Sequence, residues 1–288
     1  MLKVAVICLC YNHENYVQET LDSVLAQTYR NWELIVVDDA SNDNSKQQIE
    51  QFISAHPDSR ISTLFLNENM GNCRAFNKAL ALTEAEYIID LAADDILLPE
   101  RLELGLANME KSPEVAINFS NANYIDESGK LLHSHYPIDQ WGKSTIPVPE
   151  GIVFRNIIER YFICSPTMMY RAIFLKKAGG YDENLAYEDF DIKIRLSRVY
   201  PFSYTDKILV RKRILNTAMS QKQYKKGNFQ LYSTLIICRK IFCMIRGKAE
   251  KYALLKRLAF EAKQALIFRR LFLFLKFSSL WFKTLLMK

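Results

Sequence analysis

The chain has 288 residues, 49% hydrophobic and 24% charged. That ordinary globular composition excludes a disordered or low-complexity protein and supplies apolar material for one large core or two smaller ones. The net charge of +6 hides a polarity: up to Ser220 there are 22 Lys and Arg against 30 Asp and Glu, and beyond it 16 against 2. The basic end therefore needs an explanation of its own. Cys8, Cys10, Cys73, Cys164, Cys238 and Cys243 mostly lie inside apolar runs with no framework spacing, and read as reduced core thiols. Cys8 and Cys10 share a strand face, but no further zinc ligands accompany them.

Met1-Leu2-Lys3 runs straight into the apolar segment Val4–Cys10, too short for a signal peptide's hydrophobic region plus a cleavage site, so the chain is expected to face the cytosol. Residues 4–9 predict a buried strand, followed by a polar loop and a helix with Val17, Leu21, Val24 and Leu25 on one face. Residues 32–37 form a second strand ending in Asp38-Asp39, and the turn-rich stretch 40–45 offers Asp43 or Ser45 as a helix cap. A third strand is expected at 61–66, a helix at 72–82 and a fourth strand at 87–91 running into Asp94-Asp95, with Pro99 opening another helix. After a strand at 115–123 and a turn at 126–129, residues 131–149 read as an irregular loop suited to acceptor contacts. Helices follow at 151–161, 171–178 and 188–199, with a strand at 167–170, and the chain is almost wholly helical from Gln230. Alternating strands and helices describe an open, largely parallel α/β sheet whose ligands bind beyond the carboxyl ends of the strands.

Three segments carry a resemblance: Val4-Ala-Val-Ile-Cys-Leu-Cys-Tyr-Asn-His-Glu-Asn-Tyr16, Ser23-Val-Leu-Ala-Gln-Thr-Tyr29 and Glu33-Leu-Ile-Val-Val-Asp-Asp-Ala-Ser-Asn-Asp-Asn-Ser45. Together they resemble the family-2 inverting glycosyltransferases of the GT-A fold, of the type that builds bacterial surface polysaccharides, over about residues 3–220. The resemblance implies a Rossmann-like α/β domain with a mostly parallel central sheet and flanking helices over 1–220, ahead of a helical, basic, amphipathic region over 221–288. It implies transfer of a hexosyl or N-acetylhexosaminyl group from a nucleoside-diphosphate donor, expected to be a UDP-sugar. The acceptor would be a hydroxyl of a growing, lipid-linked cell-surface glycan such as O-antigen, capsule or exopolysaccharide. The rival reading is a non-catalytic sugar-nucleotide-binding or scaffold protein of the same fold. No Gly-x-Gly-x-x-Gly follows the first strand, which disfavours a dehydrogenase or nucleotidyltransferase.

A nucleotide site needs an aromatic wall for the base and an acceptor for its imino proton, and Tyr11 and Asp39 have that chemistry. By resemblance Asp39 contacts the base, Asp38 supports the loop, Tyr11 lines the base, and Asn12 or Glu14 lies close by; a plain helix cap is the alternative for Asp38-Asp39. In Asn69-Met-Gly-Asn-Cys-Arg74, Gly71 permits close backbone approach at a strand-to-helix turn and Arg74 can meet the diphosphate, although a structural glycine fits equally. Tyr87-Ile-Ile-Asp-Leu-Ala-Ala-Asp-Asp-Ile-Leu-Leu-Pro99 occupies the family's Asp-x-Asp segment, which holds Mn²⁺ or Mg²⁺ against the diphosphate. Ala92 stands at the first position of that triplet, leaving Asp94 as the metal ligand with Asp95 beside it on the donor. Gly179-Gly-Tyr-Asp-Glu-Asn-Leu-Ala-Tyr-Glu-Asp-Phe-Asp191 resembles the acceptor-side segment, with Asp189 as general base and Glu188 bonding the acceptor; an acidic first helical turn is the plainer alternative. Arg213 stands near the place of a family histidine and either meets the leaving diphosphate or faces solvent. His13 is expected to shape its loop.

Residues 264–288 hold five Lys and Arg and no acid, interleaved with Leu, Phe and Trp281. That suits an interfacial helix on an anionic membrane, a peripheral location beside a lipid-linked acceptor, while charges interrupt every window long enough to span a bilayer. A helical cap packed on the catalytic domain is the alternative. The aromatics resemble a helix face more than a stacking platform, so no nucleic-acid partner is expected.

Overall fold

β1 (Val4–Cys10) is rich in β-branched and apolar residues because it is covered on both faces, lying between β2 (Trp32–Asp38) and β4 (Tyr87–Ala92). All three run parallel, as does β3 (Ile61–Phe65), which pairs with β2 and exposes Ser62 and Thr63 at the edge. These pairings belong to a computed structural model that describes residues 3–186, 188–215 and 229–287. α1 (Val17–Leu25) buries Val17, Leu21 and Val24 at helical spacing, and α2 (Ser45–Ala55) and α3 (Asn72–Leu80) complete the alternation.

Beyond β4 the sheet becomes mixed, in the order β3-β2-β1-β4-β8-β6-β9-β5. β5 (Ile96–Leu97) precedes α4 (Arg101–Met109), and β6 (Ile117–Ile125) pairs with β7 (Leu131–Ser134), α5 (Phe154–Glu159) following. A single 3-10 turn (Ser165–Thr167) leads into β8 (Met169–Arg171), then α6 (Ala172–Lys177), α7 (Glu188–Ser197) and β9 (Phe202–Arg213). β7 lies inside the stretch expected to be loop. β9 is not expected from periodicity: Asp206, Lys207, Arg211 and Lys212 break its apolar run, and it is a strand because β6 supplies a parallel partner along its length.

Cys8, Cys10, Cys73, Cys164 and Cys238 are buried and Cys243 is exposed, all as free thiols. Burial drives the Cys8 thiol well above its ordinary pKa and pushes Cys10 up to about 12, so both thiols are protonated in the core.

The chain forms two compact units, and the division differs from a boundary at 220. The first comprises 1–151, 163–181 and 200–215; the second takes 152–162 and 182–199 together with 216–288. α8 (Gln230–Met244), α9 (Lys248–Ile267) and α10 (Leu271–Leu286) therefore share their unit with α5 and α7. The physical reason is ionic and aromatic. Lys240 on α8 reaches Asp182 at 2.7 Å and the buried Asp191 at 2.6 Å, while Arg257 on α9 lies over the rings of Tyr161 and Phe190 and donates to the Ile158 carbonyl at 2.9 Å. Part of the basic excess beyond residue 220 thus neutralises acids contributed by earlier segments.

Candidate active site

The carboxyl ends of β1, β2 and β4 are adjacent: Cys10 is in register with Asp38 and Leu9 with Ala92, and the Asp39 and Ala93 amides donate to the Cys10 and Leu9 carbonyls. The loops that follow carry Tyr11, Asp39 and Asp94. The first two are joined by a reciprocal clasp. The Asn12 amide donates to Ser41 Oγ and the Asn42 amide to Asn12 Oδ1, while the Glu14 amide donates to Asp43 Oδ2 and the Asn44 amide to Glu14 Oε2. His13 shapes the same loop, its amide donating to Ser45 Oγ and its carbonyl accepting from Tyr16 and Val17. Asn12 and Ala40 sit at φ 59° and 57°, a left-handed conformation costing about 1–2 kcal/mol in a non-glycine residue, which the clasp holds in place.

Asn12 and Glu14, expected to lie close to the base, are engaged within these loops. Their side-chain oxygens hold loop amides, while the Tyr11 ring stays exposed. Asp39 is buried, and its two oxygens accept the Met70 and Gly71 amides at 2.7 and 2.9 Å. It thereby ties the end of β2 to the start of α3, whose cap Gly71 has φ 81°, a conformation that favours glycine. Asp38 accepts the Ser41 amide. Arg74 is exposed on the first turn of α3.

The Asp94-Asp95 turn separates two neighbouring carboxylates. Asp95 points inward: it is 4% exposed, accepts the Arg213 amide at 2.9 Å, and is held well above the usual carboxylate range by burial and then by the Asp94 charge. Asp94 is half-buried, and no described side chain pairs with its carboxylate. Asp95 therefore supports the turn from within.

Arg213 is buried beside it. It is 4% exposed and all three guanidinium nitrogens are engaged: Nε with the Asp94 carbonyl, Nη1 with the Asp126 and Glu127 carbonyls, Nη2 with Glu19. Its guanidinium also lies over the Tyr16 ring, 4.7 Å from the centroid. It clamps the Asp94-Asp95 turn from the protein side and is turned away from solvent. Arg213→Met should lower unfolding stability by about 1–3 kcal/mol, since it removes the guanidinium's bonds to three partly exposed carbonyls from a side chain that is itself buried. An unchanged urea midpoint would contradict the clamp.

A metal centre made by the protein alone is not present among the described residues, which include no group of three or more His, Cys, Asp or Glu able to hold an ion. The unpaired Asp94 carboxylate fits a different arrangement, a hard cation arriving with diphosphate oxygens and water and needing one protein ligand.

Asp189 belongs to the second unit, on the first turn of α7, where Lys193 donates to Oδ2 at 2.9 Å from a nearly buried position. α7 is fixed at Asp191, which takes Arg195 and Lys240 on its two oxygens. Glu188 begins α7, and its side chain lies outside the described residues, as does Tyr187. A contact that motif reading did not suggest anchors the start of the acceptor-side segment: Tyr181 donates to Asp90 Oδ2 at 2.7 Å, stacks on Phe76 and exchanges backbone bonds with the Asn77 amide group. Its one sequence signal is the Gly179-Gly180 pair before it, since a Cβ on Gly180 would lie 2.4 Å from Asn77.

The sequence profile described as Glycosyl transferase family 2 matches residues 5–176. An uncharacterized glycosyltransferase of Methanocaldococcus jannaschii is 31% identical over 240 residues, 81% of this chain and 78% of its own. Among solved structures, S. aureus TarS 1-349 in complex with UDP-GlcNAc matches with a TM-score of 0.68 at 21% identity, over 89% of this chain and 72% of that one. A mannosyltransferase from Pyrobaculum calidifontis, in complex with GDP-Man and Mn²⁺, matches with a TM-score of 0.63 at 16% identity, over 92% and 75%. The two structures share the fold, with a mixed α/β sheet of the GT-A kind. A parallel sheet whose strand ends carry Tyr11, Asp39 and Asp94, and a profile match over more than half the chain, lead to one assignment: the chain belongs to glycosyl transferase family 2 and is a glycosyltransferase.

Proposed function

We propose that this glycosyltransferase moves a sugar, with inversion, from a UDP-sugar to a hydroxyl of a growing, lipid-linked cell-surface glycan. The observation that carries the reading is the unpaired, half-buried carboxylate of Asp94 on the loop edge that also bears the exposed ring of Tyr11. The Tyr11 ring stacks on the base, and Asp39 accepts the imino proton through oxygen lone pairs left over from the Met70 and Gly71 amides. Gly71 and Arg74, at the start of α3, face the diphosphate, whose charge suits a helix N-terminus. Asn12, Glu14, Asp95 and Arg213 act one layer back, holding the loops that make these contacts.

Asp94 holds the donor's cation, Mn²⁺ or Mg²⁺, which when bound neutralises the charge developing on the leaving diphosphate. Asp189 takes the proton of the acceptor hydroxyl as the new C–O bond forms and the bond to the diphosphate breaks on the opposite face of the sugar. Glu188, its neighbour on α7, bonds the acceptor. The lipid-linked acceptor makes an anionic membrane surface the third partner, with the enzyme peripheral on its inner face.

The decisive experiment incubates the protein with a panel of nucleotide sugars, Mn²⁺ and lipid-linked glycan acceptors and measures nucleoside diphosphate release. Acceptor-dependent release that is greatest with a UDP-sugar and stops on chelation is expected. Donor binding without release for any donor and acceptor would favour the scaffold reading.

A further inference from the structure

α10 is apolar on two opposite faces, and only one of them is covered. Leu273, Phe277, Leu280 and Thr284 are buried. On the opposite side Leu271, Leu275, Phe282 and Leu286, at spacings of four, seven and four residues, form a stripe along the helix and are 62%, 63%, 59% and 79% exposed. At the end of α9, Leu266, Ile267 and the cap residue Phe268 are exposed as well. An apolar row of this length facing water marks an interaction surface.

The charges beside the stripe select the partner. Lys276 and Lys283 flank one edge and Arg269 stands at its start; among the described residues none of the three has a carboxylate partner. Glu261, the nearest acid along the chain, is fully buried against Arg257. A second copy of this chain would bring the same cations against themselves, whereas an anionic surface meets them with opposite charge. No described helix is long and apolar enough to cross a membrane, so the stripe suits a helix lying in the plane of the interface. An apolar groove between α9 and α10, lined by Leu258, Ala262, Trp281 and Phe282, lies beside it and suits a hydrocarbon chain.

We infer that α10 is a membrane-docking helix: Leu271, Leu275, Phe282 and Leu286 enter the headgroup layer of an anionic bilayer, and Arg269, Lys276 and Lys283 bind its headgroups. The inference deepens the lipid-linked acceptor proposed above and rests on it for its purpose, but vesicle binding tests it with no transfer assay, so either can fail alone.

The test is flotation of the full chain with vesicles of phosphatidylcholine and phosphatidylglycerol at 3:1, against phosphatidylcholine alone. Binding to the anionic vesicles is expected to exceed binding to neutral ones at least tenfold and to weaken in 0.5 M salt. Leu275→Ser with Phe282→Ser should reduce it at least tenfold; Lys276→Gln with Lys283→Gln should reduce it severalfold on anionic vesicles and leave neutral ones unchanged. All four side chains are exposed, so circular dichroism and thermal midpoint should match the wild type. Equal binding to both vesicle types, undiminished binding by the serine variant, or a wild-type dimer that this variant converts to monomer would overturn the inference, the last in favour of a second copy.

Discussion

Asp189→Asn is expected to slow transfer about 10²–10⁴-fold, the usual contribution of a positioned general base, while donor affinity changes by less than about twofold. The asparagine keeps the shape of the side chain and an oxygen for Lys193, whose ammonium lies 2.9 Å from Oδ2 in the wild type, but it cannot take the acceptor's proton. The fold should be retained at a cost of about 1–3 kcal/mol, because the nearly buried Lys193 loses its counter-charge while α7 stays anchored at Asp191 by Lys240 and Arg195 and at Phe190 beneath Arg257. Rapid-quench turnover together with calorimetric donor titration separates the two quantities. Wild-type turnover in the variant would remove Asp189 from the mechanism, and a collapse of donor binding would move it to the donor side.

Asp94→Ala is expected to weaken Mn²⁺-dependent donor binding about 10²-fold, or about 2.7 kcal/mol, and to leave metal-free binding within about twofold. This result differs from misfolding in its sign on stability. The Asp94 carboxylate has no partner among the described residues and adds to the electrostatic load on buried Asp95, so its removal should leave the thermal midpoint unchanged or raised. Donor titrations with and without Mn²⁺, alongside thermal unfolding, provide the check. A metal dependence that survives the substitution would show that the cation is held elsewhere.

The same two carboxylates show where sequence reasoning stops. Adjacent residues leave a turn on different sides, but which one faces the ligand depends on the pairing that follows. Here β5 lies against β9, Ile96 opposite Arg211 and Leu97 opposite Val210, and that register brings the Arg213 amide to Asp95 and the guanidinium to the Asp94 carbonyl. A two-residue strand has no periodicity to read, and its partner lies more than a hundred residues away. The role of Arg213 was open for the same reason: a cation in a basic run looks like a ligand-binding group until its buried acceptors are known.

Local chemistry accounts for what was legible in the chain alone. The unbroken apolar run of β1, the helical spacing of Val17, Leu21 and Val24, and the Asp, Gly and Asn residues at strand ends each reflect constraints within a dozen residues, so the strand–loop–helix alternation and the placing of the candidate residues at the strand ends followed from them. Family membership followed from the same motifs. Contacts distant in the chain decided the rest. Asp39 is bonded to amides about thirty residues on, Lys240 joins α8 to Asp191, and Arg257 rests on Phe190, so segments 152–162 and 182–199 belong with the carboxyl-terminal helices. The charge excess and apolar composition of residues 264–288 were plain from the sequence, but only the packing of α10, which buries Phe277 and leaves Leu275 and Phe282 in water, distinguished the covered face from the one that needs a partner.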